Sequence, residues 1–222
     1  MQNSAHKKIL LCDKSKELAE IMGIIMGDGS VYVHPTKRVY QVHIASNYRS
    51  KDEEDYLLNY VKPLFEKTFN ITMCIKRAKK CNYVWKQNKD LVYTLNRFGM
   101  PSGNKIENNI KIPKWILANK EYSSLWLRGM FDTDGYLYPR NKAHRFPTMF
   151  FYSSVPGIRR SITKVCNIIG LRLSKWRIRK HDHSAPEARI STREDNFKFF
   201  KEIGFKNPKH TKRWHIFAEK PR

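Results

Sequence analysis

The sequence repeats itself, and the repeat fixes most of what the chain can fold into. "EIMGIIMGDGS" at 20–30 carries Gly23, Gly27, Asp28 and Gly29; "SLWLRGMFDTDGYLY" at 124–138 carries Gly129, Thr133, Asp134 and Gly135 in the same places. The two aspartates are 106 positions apart, and "RFGMPSGNK" at 97–105 echoes "EIGFKNPKH" at 202–210 at nearly that offset, Gly99 against Gly204. Two echoes in register identify a tandem duplication, roughly 14–110 and 120–216. The chain divides into a basic N-terminal segment (1–13), a first half (14–115) and a second half (116–222).

Leu18, Ile21, Met22, Ile24 and Ile25 recur at helical spacing, so the first motif is a helix, and its mate is another. Each glycine in a helix interior costs about 1 kcal/mol against alanine, so two of them four apart need a return. Packing the helices side by side supplies it: Gly23 and Gly27 meet Gly129 and Thr133, where a missing Cβ lets backbones approach. Leu18, Ile21, Ile25, Leu125, Met130 and Phe131 then face the two cores, and Gly29 and Gly135 suit left-handed residues ending each helix. After each motif come two strands, a helix, two strands and a helix. "RVYQVHIAS" at 38–46 alternates, "DEEDYLLNYVKPLFEKTF" is a helix with its acids leading, and a hairpin over 71–95 turns near "KKCN". The second half gives "FPTMFFYSS", a helix near 156–169, strands near 171–180 and 187–192, and a helix in "EDNFKFFKEIG". The expected fold is α+β, a pseudo-twofold repeat of αββαββα with two antiparallel saddles around two central packed helices.

Forty-three Lys and Arg against twenty Asp and Glu leave a net charge of +23. A compact body this basic repels itself unless a polyanion shares its surface, which points to nucleic acid. No apolar run reaches the roughly 18–20 residues of a membrane span and no signal peptide opens the chain, so we expect no membrane partner. The expected location is the cytoplasm or nucleoid, an organelle in a eukaryote, and not the secreted space. Cys12, Cys74, Cys81 and Cys166 form no CxxC pair and are expected to be reduced and mostly buried.

Packing the two helices delivers Asp28 and Asp134 to one spot. Their carboxylates repel one another, and each faces the negative end of its helix. A divalent cation removes both penalties, and hard oxygen ligands with substrate phosphates select Mg²⁺, with Mn²⁺ a substitute. On a chain this basic the expected reaction is metal-assisted phosphodiester hydrolysis.

At these residues the sequence resembles the LAGLIDADG homing endonucleases of the single-chain, two-motif type, across essentially the whole chain. The resemblance implies a monomer that cuts both strands of a long duplex across the minor groove and serves intron or intein homing. It implies metal ligation by Asp28 and Asp134 with the carbonyls of Gly27 and Thr133. It also makes Lys105 and Lys209 catalytic candidates, with Ser46 and Ser153 weaker ones. The first motif has Met26 where the family often has an acid, whereas the second keeps Asp132. A rival function is an intron maturase of the same fold binding RNA; another is a non-cleaving DNA binder, which would have no use for two adjacent buried acids.

Candidate DNA contacts are Arg38, Lys76, Arg77, Lys79 and Arg172. In "LRLSKWRIRK" Lys175, Arg177 and Arg179 share one side, opposite Trp176 and Ile178. Gln41 and His43 are candidate base readers. Strands of about ten residues span about 33 Å, so two saddles follow roughly twenty base pairs. The unlike reading positions of the two halves predict a target that is not a palindrome. "DTDG" is not a calcium loop, because its twelfth position is Ala143; "SGNK" lacks the rest of a phosphate loop, and "HDH" at 181–183 is no metal pattern.

Overall fold

The computed structural model describes residues 13–47, 49–78, 81–139, 146–178 and 185–218. Helix α1 (Lys16–Met26) starts on Ser15, whose Oγ accepts from Leu18 N at 3.1 Å. It leads straight into strands β1 (Gly29–Val33) and β2 (Tyr40–Asn47). Then come α2 (Lys51–Tyr56), a π-helical turn (Leu57–Val61) and α3 (Lys62–Phe69). Pro63 explains the turn, since it lacks an N–H and its ring clashes with the carbonyl four residues back. Strands β3 (Cys74–Arg77) and β4 (Cys81–Gln87), α4 (Lys89–Arg97) and the short α5 (Lys114–Leu117) complete the first half.

The second half repeats this order with α6 (Lys120–Asp134), β5 (Gly135–Pro139), β6 (Pro147–Tyr152), α7 (Pro156–Ile169), β7 (Glu187–Ile190) and α8 (Arg193–Glu202). A further helix, α9 (Pro208–Ala218), was not expected from the repeat. Asn207 starts it, accepting from Lys209 N at 3.0 Å and donating to Asp132 O at 2.9 Å, while Pro208 fits a first helical turn. The matching stretch after Pro101 stays in turns. The sheets are antiparallel, ordered β1-β2-β4-β3 and β5-β6-β7. The fold is α+β, as the repeat implied.

The residues over 171–178 do not form the expected strand. They run beside β7, with Ser174 N donating to Arg189 O and Arg177 bridged to Glu187, each at 2.9 Å. The ladder breaks because Arg189 N finds the Ser174 hydroxyl (3.0 Å) rather than a backbone carbonyl. Ile178, expected on the side opposite the basic residues together with Trp176, is 67% exposed, while Trp176 is anchored through Nε1 to Thr163 at 3.0 Å.

Helices α1 and α6 form the central contact. A Cβ on Gly23 would meet Trp126 O at 2.2 Å, and one on Gly129 would meet Glu20 O at 2.5 Å, so both glycines are required by close approach. Leu18, Ile21, Ile25, Met130 and Phe131 are buried as expected, Leu125 only partly. Gly29 and Gly135 do not take the left-handed conformation; Gly135 is extended at φ −83°. Their need for glycine is steric, because added Cβ atoms would stand 2.5 Å from Ile25 Cα and 2.4 Å from Phe131 O. Cys74 is exposed, against expectation, Cys81 half-buried and Cys166 buried, while Cys12 lies outside the described residues. No helix among the described residues is long and apolar enough to cross a membrane.

Candidate metal centre and nucleic-acid face

Each motif helix runs out into the first strand of its sheet, so the last acid of each motif stands at one end of the central pair. Gly27 marks the meeting point: a Cβ there would lie 1.9 Å from Thr133 Oγ1 and 3.5 Å from Asp134 Oδ2. Thr133 turns its hydroxyl back to Gly129 O (2.9 Å) and Met130 O (3.1 Å), which leaves its own carbonyl outside that bond. Burial lifts the Asp134 carboxyl to about 7, with the Asp28 charge adding to it. Asp28 is lifted to about 6, first by burial and then by Glu53.

Lys105 and Lys209 pull both carboxyls back down, Lys105 more strongly at each. The Lys105 ammonium donates to Met26 O at 3.0 Å and to Gly27 O, so a cation already rests on the carbonyl end of α1. Burial lowers its own pKa, opposed by Asp134 and Asp28. Lys105, Asp134, Gly27 and Ser153 line one cleft of 430 Å³. Lys209 enters from the N-terminus of α9 and binds the Glu53 carboxylate. Ser153 Oγ accepts from Val155 N at 3.2 Å just before α7, and the buried Ser46 hydroxyl has no partner among the described residues.

Among the described residues no three His, Cys, Asp or Glu side chains group as a metal site. The fitting donor set is mixed: two carboxylates held above their usual range, plus the Gly27 and Thr133 carbonyls. Hard oxygens whose repulsion the two lysines offset only in part, with an ammonium on one of them, suit a hard divalent ion.

The sheet faces turned from the helices differ. On the first, Gln41, His43 and Ala45 of β2 lie opposite Gln87, Trp85 and Tyr83 of β4. Gln41 donates to Gln87 at 3.1 Å, His43 Nε2 lies 3.1 Å from Gln41 Oε1, and the His43 ring stacks on Trp85 at 5.9 Å. Burial and Lys76 lower the His43 pKa, favouring the neutral ring. Lys76 sits opposite Tyr83 on this face, and Arg38 is exposed in the β1–β2 turn with φ 51°.

Other basic candidates are placed elsewhere. Arg77 alternates to the opposite face of β3 and pairs with Glu54 at 3.1 Å, so it does not share a face with Lys76. Arg172 is held by Asp195 (2.7 Å) and Glu194 (2.6 Å). Arg177 is held by buried Glu187 at 3.0 Å, while Lys175 is exposed. Lys79, Arg179 and the 181–183 histidines lie outside the described residues. The second face is aromatic, with Tyr138 edge-on to Phe150 at 6.4 Å and Phe150 stacked on Tyr152 at 6.1 Å.

Glu53 was not singled out in the sequence. Ser50-Lys51-Asp52-Glu53 reads as a local capping box, which accounts for the acid without any site; nothing in sequence placed it beside Lys209.

This architecture is the LAGLIDADG meganuclease fold. The chain superposes on the homing endonuclease I-DmoI with a TM-score of 0.62 and 18% identity, over 85% of this chain and 95% of that one. Likenesses of TM-score 0.59 and 14% identity relate it to I-WcaI, solved bound to its DNA recognition sequence, covering 92% of this chain and 86% of that one. For the LAGLIDADG meganuclease I-AabMI, bound to uncleaved DNA, the values are 0.57 and 15%, covering 91% and 89%. No protein-family model matches the sequence. Among curated proteins, 122 residues (54% of this chain) are 29% identical to glutamine–fructose-6-phosphate aminotransferase of Methanocaldococcus jannaschii, over 10% of that protein. Another 29% match, over 126 residues and 55% of this chain, covers 7% of the replication factor C small subunit of the same organism. A 28% match over 158 residues, 65% of this chain, covers 14% of ribonucleoside-diphosphate reductase NrdEB subunit alpha of Bacillus subtilis. The chain therefore spans only a small fraction of the curated relatives it matches.

Proposed function

We propose that this chain is a site-specific DNA endonuclease that breaks both strands of a long, non-palindromic duplex by divalent-metal-assisted hydrolysis. The observation that carries the reading is the convergence of Asp28 and Asp134, from duplicated helices, with Lys105 and Lys209 beside them on a body of net charge +23. I-DmoI has been solved with DNA and Mn or Ca, which supports a divalent ion here. The curated matches support a homing role. An aminotransferase, a replication factor and a reductase share no chemistry, so a short stretch in each that resembles part of this chain fits a module carried within them.

Asp28, Asp134 and the carbonyls of Gly27 and Thr133 would hold Mg²⁺ or Mn²⁺. Such an ion, when bound, supplies an activated water and neutralises the leaving oxygen. Lys105 and Lys209 place positive charge where phosphate charge builds up. Gln41, His43 and the cations on the sheet faces orient the duplex. The chain acts as a monomer, because both halves of the site come from one polypeptide, and it works wherever its DNA target is kept.

The test is a plasmid library carrying randomised inserts of roughly twenty base pairs, the length two saddles follow. Linear products are sequenced after incubation with Mg²⁺. Wild type should linearise a subset, and Asp28→Asn and Asp134→Asn should linearise none while still retarding those sequences in gels. Absence of linear product from wild type, or undiminished cutting by either variant, overturns the proposal.

A further inference from the structure

The two lysines beside the aspartates are held differently. Lys105 donates to two neutral carbonyls, Met26 O and Gly27 O. Lys209 is bound instead to a carboxylate, Glu53, in a pair whose side chains are 20% and 12% exposed. Glu53 stands at the third position of a Ser50-headed helix start, and Ser50 Oγ accepts from Glu53 N at 3.3 Å. The Glu53 carboxylate would ordinarily return to the Ser50 N–H. That N–H is already bonded to Asn47 O at 3.1 Å, and Glu53 reaches across to the other half.

The duplication offers a control. The 106-residue offset takes Glu53 to Arg159, whose Nη1 donates to Ser153 O (3.0 Å) and Ser154 O (3.2 Å) on the rim of the Lys105 cleft. The position that holds an acid against Lys209 thus holds, in the other half, an arginine bonded to rim carbonyls rather than to Lys105.

We infer that Glu53 restrains Lys209, so that the two DNA strands are cut at unequal rates, the strand served by Lys105 first; this rests on the proposed function. A phosphate arriving at Lys105 displaces neutral acceptors, whereas one arriving at Lys209 must displace a carboxylate. Both ammoniums make charge-assisted hydrogen bonds, but only Lys209 also feels a full opposite charge, and in a largely buried pair that Coulomb attraction is little screened. The rival account is that Glu53 merely docks α9 on α2, as Asp52 does through Lys212 at 2.5 Å. A docking role predicts the same behaviour for both acids.

The experiment is single-turnover cleavage, with Mg²⁺, of a duplex recovered from the library and carrying a different label on each strand. Wild type should accumulate a nicked intermediate. Glu53→Gln should speed the slower strand by about fivefold, the effect of trading a charged acceptor for a neutral one, and narrow the ratio of the two rates. Glu53→Asp, which keeps the charge at the helix start but shortens the reach, should narrow it likewise and guards against a poorly folded glutamine variant. Asp52→Asn should leave the ratio as in wild type. Equal strand rates in wild type, an unchanged slower strand in both Glu53 variants, or the same response from Asp52→Asn would each overturn the inference alone. A wild type that cuts neither strand defeats the proposed function and this inference with it.

Discussion

The two flanks of the central helix pair occupy equivalent places in the duplication but are built from opposite chemistry. On one, Glu20 of α1 receives Arg128 Nε at 2.8 Å and Nη2 at 2.6 Å, and Tyr60 donates to the same carboxylate at 2.8 Å. The offset of 106 turns Glu20 into Trp126 and Arg128 into Met22. The other flank is accordingly apolar: Trp126 is fully buried, its Nε1 3.3 Å from Met26 Sδ. Gly23 with Gly129, and Asp28 with Asp134, stay alike. Backbone approach and paired acids are requirements on both halves at once, whereas the flanks need only complement each other. Were α1 to pair with a second α1, Glu20 would face Met22 and be buried without its cation, at a cost of several kcal/mol. The unlike flanks thus favour the two halves of one chain over two copies of one half.

The largest effect should come from breaking what the flanks share. Gly129→Val would drive Cβ to 2.5 Å from Glu20 O and 2.9 Å from Ile24 N, both backbone atoms that cannot swing away. We expect loss of the cooperative fold, read as a vanished near-ultraviolet circular dichroism signal. A cooperative melt within a few degrees of wild type would show that the helices can part without consequence.

Next is the polar flank alone. Arg128→Met leaves Glu20, 3% exposed, with the Tyr60 hydroxyl but no cation and should cost about 3–5 kcal/mol in urea unfolding. Glu20→Met with Arg128→Met makes both flanks apolar and should recover most of that loss. The double variant also removes the discrimination against self-pairing, so sedimentation at rising concentration should show more association for it than for wild type.

Smaller, and of opposite sign, is the effect of the acids at the helix ends. A carboxyl whose folded pKa is raised stabilises the fold while protonated, and that contribution is lost as pH rises through the raised value. For Asp28 and Asp134 the window runs from their ordinary 3.8 to about 6 and about 7. Metal-free wild type should lose stability across it. Asp28→Asn or Asp134→Asn should flatten that loss and gain about 2–3 kcal/mol at pH 8. Added Mn²⁺ should stabilise wild type more than either variant. Equal pH profiles for all three would mean the carboxylates are not strained.

These contrasts also show where sequence was readable. The helix pair and its acids were legible because they depend on local periodicity and on a repeat that compares the chain with itself. The Glu20–Arg128 pair was not, since a polar residue within an apolar helix says nothing about its partner on another. Gly29 and Gly135 were assigned a left-handed turn, the common reason for glycine after a helix, when the true constraint is the backbone four residues earlier. The alternation over 171–178 suggested a strand, but one hydroxyl, Ser174, takes the place of a ladder acceptor. Glu53 was hidden because its local motif already explained it.

The smallest expected effect tests whether the likeness of the halves extends to the starts of the central helices. There α1 has 11 residues and α6 has 15, so their caps fall at positions the offset does not relate. Ser15 Oγ accepts from Leu18 N and Asn119 Oδ1 from Tyr122 N, each at 3.1 Å. Both satisfy one orphan amide of a first turn, so Ser15→Ala and Asn119→Ala should each cost about 1 kcal/mol. The nearby Lys16–Glu121 pair, 4.0 Å apart with both side chains more than half exposed, should not alter the comparison, because such surface pairs contribute little. Thermal melts of the two alanine variants provide the measurement. Matching losses would mean the cap is a local requirement that each half solved separately. A much larger loss at Asn119, where Tyr122 also reaches Lys14 O at 3.3 Å across the halves, would mean that the start of α6 helps clamp the two together.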